Sequence, residues 1–183
     1  MRVLVSPASR HGGTAQIGRA IATTLRDLGV DVDVTQPEDV VDLTCYDGFV
    51  IGSALYLGSW LPAACAFVDD NAQALRRRPT WLFSSGPLGA ATPAEPVDAR
   101  EIERLVDTTD ARSHHLFGGR LELARLSRSD RFIAEWAGAV DGDYRDWDEI
   151  ETWAADIAAS LTADPDDDGA RRHPQVDGSE EHR

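Results

Sequence analysis

The chain has 183 residues, 42% of them hydrophobic and 27% charged, which suits one globular domain and is too short for two comfortable ones. Its net charge of −14 disfavours nucleic acid and anionic membranes as partners, because phosphate groups repel an acidic surface. Cys45 and Cys65 stand far apart and indicate neither a disulfide framework nor a zinc site, so we expect no metal. The residues after Met1 show no signal-peptide pattern, so we expect a cytoplasmic protein.

Strand and helix patterns alternate along the chain. Short apolar or alternating runs predict strands, and apolar residues spaced three and four apart predict helices. Two helix starts, at Asp98 and Asp146, carry a glutamate three residues later, which is the pattern of a capping box. Strands are predicted at Arg2–Ser6, Val30–Thr35, Gly48–Gly52, Thr80–Ser84 and His115–Leu121. Helices are predicted from the stripes Ile17, Ile21, Leu25, Leu28 (ended by Gly29); Leu61, Cys65, Val68, Ala72, Leu75; Ile102, Leu105, Val106; and Ile150, Trp153, Ile157, Leu161.

This alternation predicts a doubly wound, parallel α/β sheet with helices on both faces. The apolar pattern stops after Leu161, so we expect one folded domain over residues 1–162 and an acidic, disordered tail over 163–183. Ligands of such sheets bind beyond the carboxyl ends of the strands, where the strand order reverses. The loops after the first, third and fourth strands are therefore the candidate site.

The loop after the first strand has the chemistry of a phosphate site. It runs Ser9-Arg10-His11-Gly12-Gly13-Thr14 and opens directly into a helix. The glycines let backbone N–H groups turn inward, the helix N-terminus adds donors and a positive dipole, and Ser9 and Thr14 add hydroxyls. The sequence has neither the lysine of a Walker-type loop nor a G-x-G-x-x-G dinucleotide fingerprint. An ordinary glycine turn is the alternative interpretation, in which His11 is a polar loop residue and not a phosphate donor.

Together with three further segments, this loop resembles the phosphate loop of flavodoxins. The segments are Tyr46–Gly58, Ser84–Gly89 and Gly142–Trp147, and in combination they are similar to flavodoxin-domain proteins related to menaquinone-dependent protoporphyrinogen dehydrogenase. The resemblance spans residues 1–162 and implies non-covalently bound FMN and a five-stranded sheet in the order 2-1-3-4-5. It also implies that the FMN phosphate contacts Ser9, Arg10, His11, Gly12, Gly13 and Thr14.

The loops after the third and fourth strands offer what the isoalloxazine ring of FMN needs. Small residues let the backbone approach the ring edge, and either Tyr56 or Trp60 can stack on its face, unless these aromatics only fill a loop-to-helix junction. Gly58 gives a peptide the freedom to present a carbonyl to the protonated N5 of one-electron-reduced flavin. The second loop carries no aromatic residue, which predicts that one face of the ring is open. The expected contacts are Ser53, Ala54, Leu55, Tyr56, Leu57 and Gly58 in the first loop and Ser84, Ser85, Gly86, Pro87, Leu88 and Gly89 in the second.

Two further segments have open interpretations. Residues Gly89–Val97 form either a plain surface connection, which we favour, or a lid over the site. Within Arg125–Val140, the residues Phe132, Ile133, Trp136 and Val140 form an apolar stripe. We expect this stripe to pack over its own sheet, with contact to a membrane or a quinone as the alternative.

Two functions remain open at this point. The resemblance implies an FMN-dependent oxidoreductase that takes hydrogen from a substrate such as protoporphyrinogen and passes it to a quinone. The alternative is a single-electron carrier without a substrate of its own, whose acidic surface would dock on a basic redox protein. The sequence identifies no catalytic residue and no oligomeric state.

Overall fold

Strands and helices alternate along the computed structural model, which describes residues 1–86, 98–128, 131–132 and 140–163. Their order confirms the predicted α/β class. The strands are β1 (Arg2–Ala8), β2 (Asp31–Val34), β3 (Gly48–Tyr56), β4 (Ser59–Trp60), β5 (Thr80–Gly86), β6 (Ser113–Gly118), β7 (Arg120–Leu121) and β8 (Gly142–Asp143). The helices are α1 (Gly13–Asp27), α2 (Pro62–Arg76), α3 (Ala99–Thr109) and α4 (Trp147–Thr162).

The five long strands form one parallel sheet in the spatial order β2-β1-β3-β5-β6. Counting only these strands, the order is the predicted 2-1-3-4-5. The chain leaves β1 towards β2 on one side and returns to β3 on the other. A crevice therefore opens at the carboxyl ends of β1 and β3, where ligands of doubly wound sheets bind.

Two apolar layers cover the sheet, one on each face. Val3 and Val5 of β1 point into the layer that contains α1 and α4, whereas Leu4 points into the layer of α2 and α3. Alternate residues of a strand face opposite sides, so a strand buried on both faces is apolar throughout. This explains why β1 has no polar alternation in the sequence.

The structure corrects the boundaries of two strands and one helical stripe. The segment Ser53–Tyr56, predicted as loop, continues β3, and it turns at Leu57–Gly58 to pair with β4. The fifth long strand was predicted to run to Leu121 but ends at Gly118. A side chain at Gly119 would lie 2.5 Å from the Gly86 carbonyl oxygen, so the chain crosses the end of β5 here and leaves the sheet. Leu28 is exposed because α1 has already ended, so it does not belong to the buried stripe.

The two capping boxes are half confirmed. Asp98 and Asp146 each accept a hydrogen bond from the backbone N–H three residues ahead, as an N-cap does. The glutamates of the two boxes, however, bond to other elements: Glu101 to the backbone of Trp60 and Glu149 to His115.

Several predicted features lie wholly or partly outside the described residues. These are Gly89–Val97, Ile133 and Trp136 of the apolar stripe, and the tail from residue 164 onward. The two stripe residues that are described, Phe132 and Val140, are exposed. Because both side chains are exposed, the expectation of packing over the sheet is wrong for these two.

Candidate functional site

The phosphate loop is shaped by a single left-handed residue at the start of α1. Gly12 has a φ of +85°, and an added Cβ there would meet no atom within 4 Å. Glycine is therefore required for conformation and not for space. Its N–H donates to the Ser9 hydroxyl over 3.0 Å, and its carbonyl accepts the first helical bond from Gln16 N–H over 3.1 Å.

The first amides of α1 are the anion donors of this loop. The N–H groups of Gly13, Thr14 and Ala15 precede the first bond of the helical ladder, so helix geometry directs them outward along the axis. The positive end of the helix dipole lies at the same place. Because this combination is suited to a phosphate group, the loop fits the phosphate of FMN in charge and in donor geometry.

Thr14 joins the phosphate loop to the fourth long strand. Its side chain is buried, and its hydroxyl lies 3.2 Å from the Ser85 hydroxyl. The loops expected after the first and fourth strands therefore meet directly.

The segment Ser53–Trp60 is a tight hairpin. Its tip residues, Leu57 and Gly58, have φ values of +52° and +81°, the sign pattern of a two-residue turn between antiparallel strands. A leucine is strained in this conformation, and Leu57 is also 56% exposed. Exposed strain of this kind is common at functional sites.

The structure separates the two aromatic stacking candidates. Trp60 is 3% exposed and donates its indole N–H to the Ser84 hydroxyl over 2.7 Å, so it belongs to the core. Tyr56 is half-buried at the sheet edge, where the Arg10 guanidinium lies 4.8 Å from its ring centroid. Arg10 thus links the phosphate loop to the hairpin, and Tyr56 is the aromatic placed beside the crevice.

The segment Ser84–Gly86 is the buried end of β5. Ser84 bonds both Trp60 and His114, whose Nε2 lies 2.8 Å from the Ser84 hydroxyl. Burial, with a smaller contribution from His115, lowers the pKa of His114 to about 4, so the ring is neutral near pH 7. Pro87, Leu88 and Gly89, predicted to follow in the same loop, lie outside the described residues.

Sequence reasoning missed two arginines near the phosphate loop, Arg120 and Arg145. A cavity of about 250 Å³ lies beside this loop and is lined by His11, Arg19 and Arg120, among others. Arg120 forms an ion pair with Glu122. No sequence signal marks Arg120, because it is 107 positions from Gly13 and approaches it only through the chain crossing at Gly119.

Arg145 is the other residue that only the fold brings to this region. Its guanidinium donates to Gln16 of α1 over 2.5 Å and to both oxygens of Asp143, and it packs 4.4 Å from the Trp147 ring centroid. The hydrogen bonds from Arg145 lower the pKa of Asp143. This contact fixes the β8–α4 connection against the first turns of α1.

Within the described ranges, no three His, Cys, Asp or Glu side chains group as metal ligands, and no helix there is long and apolar enough to cross a membrane.

The sheet order and the helices on both faces are those of a flavodoxin-like fold. The family model described as flavodoxin domain matches residues 4–148, and the chain belongs to that family. A similar protein is protoporphyrinogen IX dehydrogenase (quinone) of Escherichia coli K12, which is 25% identical over 173 residues and spans 86% of this chain and 95% of its own.

Two solved structures illustrate the shared fold. A flavodoxin from the domain Archaea has a TM-score of 0.60 and 17% identity, over 88% of this chain and 99% of its own. The rubredoxin oxygen:oxidoreductase of Desulfovibrio gigas also has a TM-score of 0.60, with 13% identity. That match covers 88% of this chain but 36% of the longer relative.

Proposed function

We propose that the chain binds FMN at the carboxyl edge of its sheet and acts as an FMN-dependent oxidoreductase. The proposed substrate is a reduced small molecule of the protoporphyrinogen type, and the proposed acceptor is a quinone. The name of the Escherichia coli relative supports both assignments. The proposed setting is the cytoplasm.

The observation that carries the proposal is the phosphate loop. The left-handed Gly12, the first amides of α1 and the Ser9–Gly12 bond build a backbone cradle for a phosphate monoester. FMN ends in such a group, whereas riboflavin lacks it. Thr14 ties this cradle to Ser85, which sets the phosphate loop against the strand that leads into the second flavin loop.

The other expected contacts have distinct roles in this proposal. The Ser53–Gly58 hairpin and the Ser84–Gly89 segment border the isoalloxazine ring, with Tyr56 as the stacking aromatic. Bound FMN would supply hydride or electron transfer at this edge. The absence of an aromatic from 84–89 supports an open ring face, which suits direct contact with a bulky substrate.

The test begins with the purified chain. FMN should be retained or should bind on titration with a yellow absorption spectrum, and riboflavin should bind at least about a hundredfold more weakly, because it makes no charged hydrogen bonds in the cradle. Equal affinity for FMN and riboflavin would contradict the phosphate assignment. Failure to bind any flavin would overturn the proposed function altogether.

A second function, that of a single-electron carrier, is favoured by the net charge of −14, which suits docking on a basic redox protein. The loaded protein discriminates between the two. An oxidoreductase of the proposed type oxidises protoporphyrinogen IX with a soluble quinone as acceptor and takes up two electrons in one step. A carrier shows two separate one-electron steps and no turnover with that pair.

A further inference from the structure

The flavin hairpin, residues 53–60, is tied to the start of α3 by two hydrogen bonds that backbone N–H groups donate. The Asp98 N–H donates to the Gly58 carbonyl over 3.0 Å. The Trp60 N–H donates to Oε2 of Glu101 over 2.8 Å. One bond holds the turn itself and the other holds the strand that leaves it.

We propose that Glu101 is a positioning residue for the flavin. With the Asp98 amide, it holds the Leu57–Gly58 turn in one backbone conformation and keeps the Gly58 carbonyl engaged away from the cofactor, which favours two-electron over one-electron chemistry. The proposal rests on the FMN function above and assigns a redox preference to the same site.

Glu101 is held at both oxygens. Its Oε1 lies 3.7 Å from the Cys65 sulfur on α2, while Oε2 accepts from Trp60. Burial, and next the charge of Glu101, raise the pKa of the Cys65 thiol to about 11, so the thiol keeps its proton and donates to the carboxylate. Glu101 therefore connects α2, α3 and the hairpin.

Trp60 carries this restraint into the sheet. Its indole N–H donates to Ser84, and the Ser84 hydroxyl also meets His114 of β6. The Leu61 N–H, next along the chain, donates to the Ser53 hydroxyl over 2.9 Å. The base of the hairpin is thus fixed to β3, β5 and β6 while its tip is fixed to α3.

The consequence concerns the peptide between Gly58 and Ser59. Rotating this peptide would break the Asp98 bond and disturb the pairing of Ser59 with Tyr56. An acceptor carbonyl from this turn, placed beside N5 of bound FMN, would favour one-electron over two-electron chemistry. Here the Gly58 carbonyl already accepts a hydrogen bond from the Asp98 N–H. Presenting this carbonyl to N5 would break that bond and distort the turn.

The first arm of the test uses the protein without FMN. Amide hydrogen exchange should show protected N–H groups at Trp60 and Asp98. Glu101→Ala should speed exchange at Trp60 by at least about fivefold, the equivalent of one lost hydrogen bond, whereas Glu101→Gln keeps an acceptor and should retain most of the protection. Glu103→Ala, on the exposed side of the same helix, is the matched control. Fast exchange at both amides in the wild-type chain would overturn the proposal.

The second arm is a redox titration of the FMN-loaded protein. Wild type should take up two electrons in one step, and Glu101→Ala should separate the two steps. Asp98 has a φ of −66°, which proline adopts, so Asp98→Pro removes the N–H, and its ring displaces the Gly58 carbonyl oxygen that lies 3.0 Å from the nitrogen. Asp98→Ala loses the same side-chain cap but keeps the N–H, so any additional separation of the steps in Asp98→Pro reports the Gly58 bond.

The outcomes distinguish this proposal from the proposed function. Retained FMN binding with an unchanged titration in Glu101→Ala and Asp98→Pro would overturn the positioning role alone. Two well-separated steps in the wild type would overturn the redox preference, and if protoporphyrinogen IX is also not oxidised they would favour the carrier function over the oxidoreductase. Failure of the wild type to bind FMN would overturn the FMN function and, with it, the redox preference.

Discussion

The phosphate loop and the flavin hairpin lie at the same edge of the sheet, yet they are built in different ways. The phosphate loop is local: its shape comes from Gly12, whose N–H donates to the hydroxyl of Ser9, three residues earlier. The hairpin depends on distant partners, because Trp60 bonds Ser84 and Glu101, 24 and 41 residues further along the chain. The shape of the phosphate loop is thus a property of a short peptide, whereas the shape of the hairpin is a property of the whole fold.

The largest expected effect comes from breaking the base of the hairpin. Trp60→Phe removes a buried indole N–H and leaves a small void, so we expect the free energy of unfolding to fall by about 2–3 kcal/mol and FMN binding to weaken. Chemical denaturation and FMN titration measure the two effects. Trp81→Phe, a similar truncation in the opposite core layer, is the control and should lower stability without affecting FMN affinity. A Trp60→Phe variant with unchanged FMN affinity would contradict the dependence of the hairpin on this anchor.

The matching change in the phosphate loop is Gly12→Val. A β-branched residue is strained at a φ of +85° by about 2 kcal/mol. If the loop relaxes to relieve this strain, we expect FMN to bind about thirtyfold more weakly. Gly29→Val is a close control, because Gly29 has a φ of +87° and equally open surroundings at the other end of α1. That variant should lower stability while FMN affinity stays at the wild-type value. Equal loss of affinity in both variants would show that the effect is not local.

The polar network behind the hairpin should make stability depend on pH. The pKa of His114 is about 4 in the folded chain, below its usual value near 6.5, so the unfolded chain binds more protons in the interval between. Stability is therefore full above about pH 6.5 and falls as the pH drops towards 4. Because the ring is partly exposed, we expect a loss of about 1–2 kcal/mol, less than the full conversion of the shift. Denaturation of wild type and His114→Asn across this range measures it, and an equally steep fall in both would exclude His114 as the cause.

The smallest expected effect is a gain in stability at the hairpin tip. Leu57→Asn places Asn-Gly in a turn whose two residues both have positive φ, and asparagine tolerates this conformation better than leucine. We expect stability to rise by about 0.5–1 kcal/mol, measured as a shift of the denaturation midpoint. A simultaneous loss of FMN affinity or turnover would indicate that the exposed Leu57 side chain serves the site. A loss of stability would contradict the strain assigned to it.

The same contrast explains what could be predicted from the sequence. The alternation of strands and helices depends on patterns within a few residues, such as the apolar run of β1, and these signals are strong. The sheet order, in contrast, was implied by the resemblance to flavodoxin-domain proteins. The hairpin was predicted as an open loop because nothing local states that Ser53–Tyr56 continues the strand. Arg120 and Arg145 reach the first turn of α1 only after the chain crosses at Gly119 and returns, which no spacing rule reveals. The choice between Tyr56 and Trp60 depended on burial, a property of the assembled layers.

The two capping glutamates bear on how the domain acquires its structure. In a self-contained helix start, the third residue would fold back and complete the cap, so the segment could begin to coil alone. Here Glu101 and Glu149 bond instead to Trp60 and His115, which belong to the sheet. In the folded domain, part of the order at the start of α3 and α4 therefore comes from their bonds to β4 and β6. The flavin hairpin and α3 should therefore lose their amide protection together when either one is destabilised.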